Sequence, residues 1–287
     1  MNRLSTERRA AVLTALVEGN SVRATCRITV TAKGTVLSLL ADIGEACARL
    51  HDEKVRGIQA ERVQCDEIWS FVSMKERNVP DEQRGTGKVG DIWTWTALDQ
   101  DSKLCISWLV GTRSVAAAAE FVADLQARLA SRVQLSTDGY YGYPPAVEGA
   151  FGWNGTDYAQ LVKIYGGGGE KLGYSPPPRV VGIQKEWVMG RPKWEDVCTS
   201  HVERQNLTMR MQMRRFTRLT NGFSKKAENH AHAVALHMAW YNWCRPHATL
   251  TRENRGIHRT PAMAAGLSDR VWKATDLVSL LNHSQSK

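Results

Sequence analysis

Arg62-Val63-Gln64-Cys65-Asp66-Glu67-Ile68-Trp69-Ser70-Phe71-Val72-Ser73-Met74 is the stretch on which the fold turns, and it reads as a β-strand. Asp66 falls among Val63, Cys65, Ile68 and Phe71. A carboxylate buried in such company is costly without a partner or a cation, unless the side chain lies on a wet face of the strand. Downstream, Thr86-Gly87-Lys88-Val89-Gly90 reads as a turn and Ile92–Leu98 as a second strand. Asp99-Gln100-Asp101-Ser102 reads as another turn, and Leu104–Val110 as a third strand. Three strands with short links predict an antiparallel meander. Ser114 then caps an alanine-rich helix to Ala130, with Phe121, Val122 and Leu125 facing inward. Val133–Ser136 is a short fourth strand that stops at Thr137-Asp138-Gly139.

A strand that follows a crossover helix and runs parallel to the first lies beside it. Asp66 and Asp138 then become neighbours at one end of the sheet, although an Asp before Gly is also a common turn residue. From Thr199 the pattern turns helical: His201–Phe216, a break over Thr217–Phe223, and Ser224–Cys244, ending at Arg245-Pro246. Glu203 opens the first of these helices, where Ser200-x-x-Glu203 also fits a capping box. A helix packed across the sheet would bring Glu203 to Asp66 and Asp138. Three converging carboxylates repel one another unless divalent cations neutralise them, and hard oxygen ligands favour Mg²⁺ or Mn²⁺. Two such ions about 3.5–4 Å apart stabilise both the attacking and the leaving oxygen of an in-line phosphoryl transfer.

Upstream, the first fifty residues look helical and self-contained. Thr6 caps a helix from Glu7 to Glu18, Ser21 caps a short one to Ile28, and Thr29 or Thr31 starts a third with Val36, Leu37, Leu39, Leu40 and Ile43 apolar. This is helix-turn-helix spacing. Its third helix would offer Thr31, Lys33 and Thr35 to a DNA groove, with Arg23 and Arg27 near phosphates. The other reading is a small bundle used for dimerisation. A charged linker, His51–Arg56, leads into the strands.

The 287 residues are about two domains' worth. With 43% hydrophobic and 23% charged residues, the composition is that of a globular protein. No apolar run approaches the roughly 18–20 residues of a membrane span. Arg3, Arg8 and Arg9 stand in a start that lacks an apolar core, so no secretory signal is expected. Cysteines at 26, 47, 65, 105, 198 and 244 show no paired spacing, which fits reduced thiols in the cytoplasm. Residues 139–198 are weakly patterned: Tyr140, Tyr141 and Tyr143, a Gly166–Gly169 run, a Pro176–Pro178 run, and possible strands at Tyr158–Tyr165 and Arg179–Ile183. The glycine run leads to Glu170-Lys171-Leu172 rather than Gly-Lys-Ser/Thr, so it reads as a loop and not as a phosphate cradle.

Charge is unevenly placed. Residues 200–287 hold 14 Lys and Arg against 5 Asp and Glu, which accounts for the whole +9 excess and suggests a polyanionic partner. Arg204, Arg210, Arg214, Arg215, Arg218, Lys225 and Lys226 cluster there, five of them Arg, which pairs bidentately with phosphate. Met209, Met211 and Met213 are expected to pack, His230 and His237 to be core or surface residues, and Trp240, Tyr241 and Trp243 to hold the second helix on the sheet. Arg245 and His247 just beyond it are candidates for touching DNA.

Cys65-Asp66-Glu67-Ile68-Trp69-Ser70-Phe71, Thr137-Asp138-Gly139-Tyr140, His201-Val202-Glu203-Arg204 and Tyr241–His247 with Thr260-Pro261, in that order, resemble the DDE transposases of bacterial insertion sequences. The likeness is nearest to the family named after the first-numbered insertion sequence. The resemblance implies an α/β, ribonuclease-H-like mixed sheet flanked by helices over residues 60–247. An all-α helix-turn-helix domain (1–50) precedes it, and a C-terminal tail (248–287) follows. It also implies that Asp66, Asp138 and Glu203 form the catalytic, metal-binding triad for two Mg²⁺ or Mn²⁺ ions. The partners it implies are double-stranded DNA (element ends and target) and further copies of the chain, in a bacterial cytoplasm at the nucleoid, with no membrane or organic cofactor. The cysteine zinc-finger segment that often opens such chains is missing. The 65-residue interval from Asp138 to Glu203 is long enough to leave Glu195, Asp196 and Glu228 as alternatives for the third acid. Readings from other classes are a non-catalytic DNA-binding repressor and a ribonuclease-H-like nuclease without joining activity.

Overall fold

A computed structural model describes residues 4–166, 179–217 and 220–283. Most of the glycine and proline runs, Arg218, and the last four residues lie outside the described residues. Helices α1 (Thr6–Val17), α2 (Val22–Thr29) and α3 (Lys33–Lys54) come first. They are followed by β1 (Arg62–Val72), β2 (Gly90–Asp99), β3 (Cys105–Gly111), α4 (Val115–Arg128) and β4 (Gln134–Asp138). Next come α5 (Tyr143–Phe151), β5 (Asp157–Tyr165), β6 (Val180–Met189), α6 (Ser200–Gln212) and α7 (Ala227–Ala239), which ends in a π-helical turn, Trp240–Cys244. Three short helices close the chain: α8 (Ala248–Glu253), α9 (Pro261–Ala264) and α10 (Ala274–His283).

The strands form one six-stranded sheet in the order β3-β2-β1-β4-β5-β6. The meander is antiparallel, β4 is parallel to β1 with Cys65 opposite Thr137, β5 is parallel to β4, and β6 returns antiparallel. The result is an α/β mixed sheet flanked by helices, compatible with a ribonuclease-H-like fold. Ser114 caps α4 as expected, its hydroxyl accepting from the Ala117 N–H at 3.2 Å. The small Ala117 and Ala118 are buried, which lets this crossover helix lie close on the sheet. On that side Trp95, fully buried, sits 5.6–5.8 Å from the rings of Phe121, Tyr140 and Tyr143. A separate apolar cluster joins Ile68 of β1 to Val202 and Met209 of α6 and Val234 and Met238 of α7.

Several boundaries differ from expectation for local reasons. Ser5 rather than Thr6 caps α1, accepting from the Arg8 N–H at 3.3 Å. Ser21 caps α2 as expected. α2 closes on Val30 in the left-handed region (φ 49°), so α3 begins only at Lys33, later than Thr29 or Thr31 would have it. α3 then runs on to Lys54, through the first four of the six residues of the charged linker. His51 near its end is buried and bonds the Ile106 carbonyl at 3.0 Å. Arg128 donates to the carbonyls of His51 and Val55. The three helices therefore share a continuous core with the sheet layer. α3 also lies along α7 and comes close to it at Gly44, where a Cβ would stand 2.5 Å from His232 Cβ.

α5 and α10 carried no sequence expectation. Of the three methionines expected to pack, Met209 and Met213 are buried and Met211 is exposed. His230 and His237 are core residues, as are Tyr241 and Trp243. Asn242, in the π-helical turn, exchanges two 3.0 Å hydrogen bonds with the Cys105 backbone and so docks the end of α7 on β3. All six cysteines are free. Among the described residues no helix is long and apolar enough to cross a membrane.

Candidate metal centre

Neighbouring residues of a strand point to opposite faces, so Asp66 and Glu67 leave β1 in different directions. Asp66 meets α6, where Asn206 Nδ2 donates to its Oδ2 at 2.8 Å. Glu67 meets α5 and accepts from the Tyr143 hydroxyl at 3.0 Å and from Arg113 Nε. Asp138 is the last residue of β4, one step past the Cys65–Thr137 register pair, and so stands beside Asp66. One carboxylate oxygen from each of Asp66, Glu67 and Asp138 lies within 4.8 Å of the other two, a cluster that could hold a metal ion.

Glu203 enters from the first turn of α6, and the strand itself fixes where that turn begins. Helix starts leave backbone N–H groups without intrahelical partners. Here Gln64, buried and two residues before Asp66, accepts from the N–H groups of His201 at 2.9 Å and Val202 at 3.2 Å. The expected capping box does not form: Thr199 is the cap residue, and its hydroxyl donates to Glu203 Oε1 at 2.5 Å. The same Oε1 pairs with the Lys163 ammonium at 2.6 Å. Asp66, Glu67, Asp138 and Glu203 line one cavity of about 740 Å³, with Arg113, Lys163 and Arg210 as its basic residues. The other candidates for a third acid do not line it: Asp196 pairs with Arg62 at 2.8 Å, and Glu195 and Glu228 are exposed.

The crowding shows in the acidities. Burial first, then the charges of Asp138 and Glu67, and more weakly that of Glu203, push the Asp66 carboxyl up to about 7. Burial and the Asp138 charge push Glu67 up to about 7 against the pull of Arg113 and Tyr143. Asp138 is raised by burial and by Glu203, opposed by the Tyr140 N–H, Arg113 and Lys163. Only one guanidinium bonds the clustered acids, that of Arg113, on Glu67 and, at 3.4 Å, on Asp138 (among the described residues). A cation entering beside Asp66 would relieve this repulsion. The donor set is entirely oxygen, and the buried Asn206 Oδ1 next to Asp66 has no hydrogen-bond partner among the described residues. Such an acceptor could take a hydrogen bond from water on a metal held by Asp66.

Glu67 was not anticipated as a site residue. The signal was a second carboxylate directly after Asp66 in an apolar strand, which alternation assigns to the other face. Of the expected basic residues, Arg210 lines the acidic cavity, while Arg23, Lys33, Arg214, Arg215, Lys225 and Lys226 line a second one. Arg27 and Arg204 are exposed on their helices. Arg245 is half-buried, its Nη1 enclosed without a hydrogen-bond partner among the described residues, so this group does not face outward. No protein-family model matches the chain, and no curated protein matches it.

Proposed function

We propose that the chain is a DNA-cutting and DNA-joining enzyme, a transposase of the DDE type. The observation that carries this reading is the meeting, in one cavity, of Asp66 and Asp138 from adjacent parallel strands with Glu203 from the helix that Gln64 anchors above them. Asp66 and Asp138 would hold the metal together with Glu203, which lines the same cavity but lies outside the tight cluster of Asp66, Glu67 and Asp138 and is paired with Lys163, while Glu67 is tied to Asp138 through Arg113. Mg²⁺ or Mn²⁺, when bound, supplies neutralising charge and Lewis acidity at the phosphodiester. Lys163 and Arg210 line the same cavity and supply positive charge for a phosphodiester entering it, Lys163 from its pairing with Glu203. The exposed Tyr141, its ring centre 4.8 Å from that of the buried Tyr140, offers a flat face to a base beside the cleavage point. The α1–α3 unit acts as the helix-turn-helix that grips element ends.

A labelled duplex carrying the element's terminal repeat tests this in a Mg²⁺ titration. Nicks that depend on the metal, joined products on a second duplex, and loss of both in Asp66→Asn with duplex binding retained are the expected results. Cutting without joining would make the chain a plain nuclease. Binding without cutting at any Mg²⁺ level would make it a repressor.

A further inference from the structure

We propose that the cavity between the α1–α3 unit and the α6–α7 connection is a composite cleft for the phosphodiester backbone of a nucleic acid, built by both segments at once. The inference rests on the DNA-processing reading and adds where the backbone lies. The cavity, about 720 Å³, shares no residue with the acidic one. Arg23 and Lys33 come from the N-terminal helices, and Arg214, Arg215, Lys225 and Lys226 from the segment after α6. No Asp or Glu is among its lining residues. The floor is apolar, with Leu16, Leu37, Leu40, Met213 and Leu236.

Two close approaches hold the walls in place. At Gly19 (φ 80°) the α1–α2 turn is pressed against the end of α6, where a Cβ would lie 2.9 Å from the Met211 carbonyl oxygen. Gly44 seats α3 on α7 in the same way. The cleft is thus set by the fold rather than by its occupant. Arg215 shows what it lacks. Its guanidinium is largely enclosed, donates to the Ser224 hydroxyl at 2.9 Å, and pairs with no carboxylate among the described residues. Ser224 is held in turn by His230 Nδ1 at 2.9 Å. An enclosed cation without a counter-ion is costly, and an entering anion offsets that cost. Duplex DNA carries one negative charge per about 1.7 Å of axis, which suits six cations spread over two walls. Arg also forks onto phosphate in a way Lys does not.

The test is fluorescence anisotropy of a labelled duplex in EDTA, where no cutting occurs, across a salt series. It compares the wild type with Arg23→Gln, Lys33→Gln and Lys226→Gln, whose side chains are exposed, and with Lys88→Gln as a control that lines neither cavity. The slope of log K against log salt is expected to shrink by about 1 for each cleft substitution, on either wall, and to stay put for the control. An unchanged slope for either wall overturns the composite cleft. Polyglutamate that binds the wild type as tightly, with the same losses, would make the occupant an acidic protein and overturn the assignment to nucleic acid. Mg²⁺-dependent nicking by the same preparations separates the two readings. Cutting with unchanged slopes removes only the cleft, whereas reduced slopes without cutting remove only the catalytic reading.

Discussion

The Arg113 guanidinium lies 4.4 Å from the Tyr140 ring centre and 5.0 Å from that of Trp93 while it bonds Glu67, a side chain 1% exposed. Held between two aromatic faces, it offsets part of the charge that Asp66, Glu67 and Asp138 would otherwise concentrate. Removing one partner of a buried pair strands the other. Arg113→Gln should therefore destabilise the fold by about 1–3 kcal/mol, less than for a fully buried pair because a third of the Arg113 side chain meets solvent. Glu67→Gln in the same chain should recover most of the loss. A double-mutant cycle in urea reads the coupling, and additive losses would show that the pair is unimportant. Two adjacent acids in an apolar strand were visible in the sequence. What hid the role of Glu67 was its cation, which comes from beyond β3, a pairing that spacing along the chain does not reveal.

α6 begins where it does because Gln64 on β1 accepts its first free N–H groups. The substitution Gln64→Leu leaves those donors buried without an acceptor, a loss comparable to that of a helix cap, about 1–2 kcal/mol. It should also lower the rate of metal-dependent cleavage, because Glu203 loses its fixed height above Asp66. Retained metal binding together with a reduced rate would mark positioning, and an unchanged rate would remove the role. α3 has an anchor of a different kind. Burial, with the nearby Arg128 charge, pushes His51 down to about 4 from an ordinary value near 6.5. Between these values the unfolded chain binds the proton and the folded one does not. The stability that neutral His51 contributes is therefore complete above pH 6.5 and is lost as pH falls through about 4. Measured by denaturant titration, the stability gap between wild type and His51→Gln should narrow by on the order of 3 kcal/mol over that window. A gap that stays constant would mean that His51 takes up its proton freely in the folded state.

Across the whole molecule, local patterns carried far in the meander, the crossover helix and the fourth strand, because alternation, polar turns and the Ser114 cap all act within a few residues. They also carried Asp66 and Asp138, whose adjacency follows from the parallel return of β4. They carried less well where tertiary contact decides. α5 opens on Tyr143-Pro144-Pro145 without a side-chain cap, and its helicity depends on Tyr143 and Val147 packing against the sheet. The π-helical turn after α7 exists to present Asn242 to Cys105, and the sharing of one core by α1–α3 and the sheet is settled by faces that look merely amphipathic in sequence. Where β1 and β4 meet, the cluster of Asp66, Glu67 and Asp138, neutralised only in part by Arg113, could hold a cation. Mn²⁺ binding followed by paramagnetic resonance, free of any DNA substrate, tests this most directly. Wild-type protein should take up Mn²⁺, compete it off with Mg²⁺, and lose the bound signal in Asp66→Asn and Asp138→Asn while remaining folded. A wild type that leaves Mn²⁺ free in solution, or variants that bind it as tightly, would contradict the account.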